Sequence, residues 1–216
     1  MENVRFASLE KITASFIGDS LFGGHGIGKE NTWIALLSNK YGMNSNNYGI
    51  NGCTLSACEG GAYPIINRYF EIADNDPDLI VFEGGRNDYN KNAALGDITS
   101  EDVTTYKGAI ASLIKGLRAK YPRAKLAAVS FWKVGPRPND IGIECGVYTD
   151  AMKEVCDALG VSFIDTRVEE ESLVRMTDPE FRAKSCWVGG DVCHLNVEGM
   201  KLVMPFFERK LAQIME

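Results

Sequence analysis

Short apolar stretches that break at glycine alternate along this chain with longer stretches of helical periodicity, and that alternation constrains the fold most. Residues 11–17 read as a first strand that stops at Gly18. Residues 30–41 read as a helix whose buried face carries Trp33, Ile34, Leu37 and Tyr41, with Gly42 able to end it. A weaker strand over 44–50 leads into a turn through Gly52. Residues 62–72 read as a short helix with Pro64 in its first turn. The run Leu79-Ile80-Val81-Phe82, inside a strand over 78–82, suits burial on both faces, and Gly84-Gly85 ends it. Ile110, Leu113, Ile114 and Leu117, extended by Tyr106, form one side of a helix over 103–120. A buried strand over 125–131, an amphipathic helix over 148–159 closed by Gly160, and a short strand over 161–164 follow. Residues 198–214 supply a terminal helix, expected to bend or restart near Pro205.

Strand–helix alternation of this kind predicts an α/β fold, a three-layer α/β/α sandwich around a mainly parallel sheet. Right-handed crossovers place the carboxyl ends of such strands on one edge, and ligands bind outside that edge. Gly18-Asp19-Ser20, residues 49–52 and residues 84–88 all follow strands, so folding should gather them. The stretches 133–145 and 169–191 read as loops or broken short helices walling the same edge.

The 216 residues fit a single domain over 1–216, with no linker to divide them. A net charge of -6 argues against nucleic acid or an anionic membrane as the partner. The densest basic group, Lys115, Arg118, Lys120, Arg123 and Lys125, reads as a solvated helix end. No apolar run approaches the ~20 residues of a membrane helix, and the amino terminus shows no cleavage signal, so stable membrane insertion is not expected. The cytoplasm is the default expectation, although a secreted mature form would read the same. The six cysteines, Cys53, Cys58, Cys145, Cys156, Cys186 and Cys193, include no C-x-x-C pair and read as mostly reduced and at least half-buried. With only two histidines in the chain, no metal site is expected.

The chemistry-bearing residues cluster after the strands. Ser20 sits in a small-residue turn that exposes a hydroxyl, and its plain alternative is a helix cap. A hydroxyl needs a base to become a nucleophile. His194 supplies an imidazole, and Asp191, three residues earlier, is placed to hold its other ring nitrogen. That pair also fits a surface turn contact. Asn87 offers a side-chain NH2 to a developing oxyanion, or else caps a turn, and Asp88 orients its loop. Backbone N–H groups of Ser20 and Gly52 are further donors if their loops meet. His25, behind Gly23-Gly24, reads as a loop residue, with a substrate wall as its alternative. Trp132, Tyr89 and Trp187 read as core or wall, or as a sugar-binding edge.

The blocks Phe16-Ile17-Gly18-Asp19-Ser20-Leu21, Asn47-Tyr48-Gly49-Ile50-Asn51-Gly52, Gly85-Arg86-Asn87-Asp88 and Asp191-Val192-Cys193-His194 stand in the order of the SGNH hydrolases, the GDSL-type esterases and lipases, and the chain resembles that family from residue 16 to residue 199. The resemblance implies a flavodoxin-like SGNH hydrolase fold with a five-stranded sheet. It implies Ser20 as nucleophile, His194 as base, Asp191 as its orienter, and an oxyanion hole of Ser20, Gly52 and Asn87. It implies a serine-dependent carboxylic ester hydrolase that needs no cofactor and acts on small-molecule or glycan esters, with short-chain or carbohydrate O-acyl esters favoured. A lipase, lysophospholipase or thioesterase of the same fold is an alternative, as is a silent carbohydrate-binding domain. A flavodoxin-like cofactor domain is disfavoured by the carboxylate of Asp19 where phosphate would sit. Arg86 stands where this family often has a smaller residue; an ion pair with Asp88 or Glu83 is its expected role, with contact to an anionic substrate as the alternative. A homodimer is compatible with the sequence, but no surface pattern specifies one.

Overall fold

Five short strands pair side by side, all parallel, in the order β2-β1-β3-β4-β5. They are β1 (Thr13–Ile17), β2 (Asn44–Asn47), β3 (Leu79–Glu83), β4 (Lys125–Val129) and β5 (Ser162–Ile164). The computed structural model describes residues 5–188 and 191–216, so the reading of residues 1–4, and of 189–190 within the 169–191 stretch, lies outside the described residues. The helices are α1 (Ser20–Gly23), α2 (Trp33–Tyr41), α3 (Arg86–Asn90), α4 (Tyr106–Lys120), α5 (Cys145–Leu159), α6 (Glu169–Ser172), α7 (Pro179–Ser185) and α8 (Val197–Met215).

The layers follow from burial. Every residue of β3 is buried, as a strand covered on both faces requires. α2 packs with α8 and α4 packs with α5, giving the two helical layers of the expected α/β/α sandwich. Trp33 of α2 stacks on Phe207 of α8 at 3.8 Å, and Phe16 of β1 meets the Trp33 edge at 5.6 Å, so helix, helix and sheet share one aromatic cluster. The sheet margins differ from its centre: β2 is the polar run Asn44-Ser45-Asn46-Asn47, and β5 has three residues.

Several predicted boundaries shift, for local reasons. The 30–41 helix starts at Trp33 because Thr32 caps it, accepting from the Ala35 N–H. The 103–120 helix starts at Tyr106 because Asp102 draws both the N–H and the hydroxyl of Thr104 into a local turn. The helix expected over 62–72 does not form. The N–H groups of Ile65 and Ile66 donate to the Thr54 and Leu55 carbonyls, which leaves only 3₁₀ turns at Ile65–Asn67 and Tyr69–Glu71. Nor does the terminal helix restart at Pro205. α8 continues through it, with Val203, Phe206, Phe207 and Leu211 all buried, and that burial outweighs the hydrogen bond a proline removes.

The order β2-β1-β3 puts the switch point of the sheet between β1 and β3. The segments after both strands, carrying Ser20 and Asn87, therefore emerge beside each other. Removing the keystone of the aromatic cluster should be costly: Trp33→Ala is expected to lower unfolding free energy by about 3–5 kcal/mol. Urea denaturation checks this, and an unchanged midpoint would show that α2 and α8 do not depend on the stack.

Candidate active site

Ser20 opens α1 directly after β1, and its side chain is nearly buried, at 8% exposure. Its Oγ lies 2.9 Å from His194 Nε2 and 3.4 Å from Asp19 Oδ1, so the imidazole is the nearer acceptor for the single hydroxyl hydrogen. His194 Nδ1 lies 2.9 Å from Asp191 Oδ2. The network assigns the hydrogen of a neutral imidazole to Nδ1, leaving Nε2 free to accept from Ser20. Asp191 Oδ1 also accepts the N–H groups of Cys193 at 2.6 Å and His194 at 2.8 Å. Burial raises the Asp191 pKa, but these hydrogen bonds outweigh it and hold the carboxyl below its ordinary value. Ser20 and His194 are 174 residues apart, and the loop before α8 brings them together. An ordered line from hydroxyl to imidazole to carboxylate can move a proton off Ser20 and stabilise the resulting imidazolium.

Beneath Ser20 lies a buried set of carboxyl groups. Asp19 accepts from the Leu21 N–H at 2.9 Å and from Asn87 Nδ2 at 2.9 Å, tying the turn after β1 to α3. The Asp19 N–H in turn donates to Glu83 Oε2 at 3.0 Å, while Glu83 Oε1 has no partner among the described residues. Burial pushes the Glu83 carboxyl well above its ordinary value, and the adjacent Asp19 charge pushes it further. Burial raises Asp19 as well, opposed by its donors. Asp19 collects more of the donors that favour an anion, so the upward push is stronger on Glu83. Asp88 accepts the Leu55 N–H, the Ser56 N–H and the Ser56 hydroxyl, so it anchors the loop after β2 rather than pairing with Arg86.

The candidate oxyanion donors are differently disposed. The Ser20 and Gly52 N–H groups have no acceptor among the described residues. Gly52 sits at φ +80, a left-handed conformation suited to glycine. Its loop is held against Gly18 by the Ile50 N–H at 3.0 Å and the Cys53 thiol at 3.2 Å, both donating to the Gly18 carbonyl. Asn87 is committed: both amide hydrogens are directed inward, one to Asp19 and one to the Cys53 carbonyl at 2.9 Å. It must exchange or share the Cys53 carbonyl to reach a ligand.

Other residues are placed unexpectedly. Arg86 does not pair with Asp88 or Glu83; its Nη1 donates to Cys145 Sγ at 3.2 Å and its guanidinium lies 5.4 Å from the Tyr89 ring. His25 does lie in a loop, but its ring sits 4.2 Å from the His194 ring and 4.7 Å from Trp187. The chain's two histidines are thus neighbours, a contact that sequence distance hides. Gly26, at φ +77, backs onto Trp187 so closely that a Cβ there would collide with the indole. Trp187 is 44% exposed, whereas Trp132 is buried against Phe207. All six cysteines are free; Cys58 and Cys193 are half-buried and the others buried.

A family model described as the GDSL-like lipase/acylhydrolase family matches residues 16–202. Among curated proteins, none matches the chain. Several solved structures do. One is 27% identical with a TM-score of 0.87, over 95% of this chain and 98% of its own. A protein from Lactobacillus plantarum is 22% identical with a TM-score of 0.82, over 94% and 98%. An active-site mutant of a family two carbohydrate esterase from Clostridium thermocellum is 18% identical with a TM-score of 0.62, over 94% of this chain and 64% of its own.

The raised Glu83 pKa makes a sign-definite prediction. An acid whose folded pKa is raised contributes stability that is fully present below its unfolded value, near the ordinary 4.5, and lost as pH rises toward the folded value. Glu83→Gln keeps the shape and removes the titration. Its stability relative to wild type should therefore improve as pH rises above about 5. Urea denaturation across that range reads the difference, and parallel curves for the two proteins would show Glu83 ionised in the fold.

Proposed function

This chain belongs to the GDSL-like lipase/acylhydrolase family, and from that membership we propose that it is a serine-dependent ester hydrolase with Ser20 as nucleophile. The observation that carries the reading is the continuous hydrogen-bonded line from Ser20 Oγ through His194 to Asp191. His194 takes the hydroxyl proton as Ser20 Oγ bonds to the ester carbonyl carbon. The tetrahedral oxyanion is met by the N–H groups of Ser20 and Gly52 and by Asn87, which releases the Cys53 carbonyl to reach it. Collapse of this intermediate expels the alcohol, which takes its proton from His194. Water then attacks the acyl-enzyme, giving a proton to His194, and the carboxylic acid leaves as Ser20 regains its hydrogen.

Short-chain or carbohydrate O-acyl esters suit this site best. A cleft carrying Arg86 and Val192 mixes asparagines and arginines with Tyr89, Val134 and Met176, a wall with hydrogen-bonding groups for a polar substrate. Trp187, exposed at the rim next to His25, gives a flat apolar edge of the kind a sugar ring covers. Among the described residues no helix is long and apolar enough to cross a membrane.

Replacing Ser20 by alanine should lower kcat on p-nitrophenyl acetate about 10³-fold or more while leaving the denaturation midpoint near wild type. Turnover retained by a pure, folded Ser20→Ala protein would remove Ser20 from the reaction. Asn87→Ala should lower kcat about 10²-fold with a smaller change in KM, the signature of an interaction made mainly in the transition state. Steady-state kinetics at matched fold stability checks this, and an unaltered kcat would assign Asn87 to the scaffold alone.

A further inference from the structure

A cleft of about 580 Å³ has Arg86, Tyr89, Arg137, Met176, Arg182 and Val192 among its walls. Ser20, Asn87, Asp191 and His194 do not line it, but two of its wall residues are chain neighbours of theirs. Arg86 precedes Asn87 in α3, and Val192 lies between Asp191 and His194 in the loop that holds the imidazole. Its size falls within the range of small-molecule sites.

The charge of this cleft is its distinguishing property. The arginine ion pairs among the described residues belong to Arg5, Arg68, Arg123 and Arg167. Six arginines have none among the described residues, and three of those, Arg86, Arg137 and Arg182, share this one cleft. Arg86 is held by the Cys145 sulfur and the Tyr89 ring, and Arg182 by the Met176 carbonyl at 2.8 Å. These neutral contacts orient the guanidinium groups without neutralising them, and a guanidinium has five N–H donors. The Arg182 Nε is shut off from solvent and has no acceptor among the described residues. One carboxylate, Asp140, also lines the cleft; it is exposed and accepts from Asn92 Nδ2 at 3.2 Å. Glu144 is engaged by the Arg137 backbone N–H. A chain of net charge -6 thus lines one concavity with three cations that have no carboxylate partner.

We propose that this cleft recognises an anionic group on the substrate, so that the enzyme prefers small esters bearing a carboxylate or a phosphate, bound by Arg86, Arg137 and Arg182. This rests on the ester-hydrolase reading above. Planar guanidinium donors match the paired oxygens of either anion, and partial enclosure strengthens the attraction over that of exposed pairs.

Matched esters test it. O-acetyl galactose is compared with O-acetyl galacturonate, acetylglycerol with acetylglycerol phosphate, and p-nitrophenyl butyrate with p-nitrophenyl hemisuccinate. At least one anionic ester should exceed its neutral partner by about tenfold or more in kcat/KM, and the carboxylate and phosphate pairs distinguish the two anions. Arg137→Gln and Arg182→Gln should each reduce that ratio several-fold, and Arg182→Lys should recover part of it. Calorimetric titration with galacturonate and with glycerol phosphate reads the cleft without turnover; binding should weaken in Arg137→Gln, an exposed position unlike the buried core. Anionic esters no better than neutral ones, or a preference indifferent to all three arginine variants, would overturn the proposal. Loss of turnover on every ester, together with no labelling of Ser20 by a serine-directed phosphonate, would instead overturn the hydrolase reading.

Discussion

The Asp19 carboxylate is the contact on which the site's geometry depends. Asp19 is fully enclosed, and it ties two segments that the sequence keeps more than sixty residues apart: its carboxylate holds the first turn of α1 through Leu21 and α3 through Asn87, and its N–H donates to Glu83 at the end of β3. An isolated anion at this depth would be too costly to bury, so the donors that converge on Asp19 are what make a carboxylate tolerable there. Ser20 is the next residue in the chain. The position of its hydroxyl is therefore set by a hydrogen-bond network that spans the central pair of strands.

This arrangement separates two electrostatic environments a few residues apart. Below Ser20, the Asp19 and Glu83 carboxyl groups are buried and their pKa values are raised. Beside it, Asp191 gathers N–H donors at the surface loop and stays ionised. The acid that faces His194 is thus the one whose surroundings keep it charged. Farther along the same edge, arginines without carboxylate partners give the opposite sign. A fold of negative net charge can present a cationic concavity because the excess acids lie elsewhere.

Much of this was legible in the residues. Glycine-terminated apolar runs and helical periodicity carried the strand positions and the α/β class, since β1, β3 and β4 are buried enough to show their pattern. The motif residues Ser20, Asp191 and His194 meet as the spacing suggested they would if the loops converged. What the sequence concealed is tertiary. The 62–72 segment has helical composition, yet two of its amides are taken by the 54–55 backbone, which no local pattern reports. Arg86 stands near two carboxylates in sequence, but Asp88 and Glu83 are already engaged by backbone amides. His25 looked like a loop residue because it is one; its contact with His194 depends on how a glycine-rich loop closes around Trp187.

The margins of the sheet carry a consequence for self-association. One is a run of asparagine and serine, residue types that pair poorly as strands, and the other spans three residues. Neither offers a long apolar ladder on which a second copy could continue the hydrogen bonding. Contacts between copies would have to form through helical faces or loops, and the β-layer of each molecule would remain closed to its neighbours.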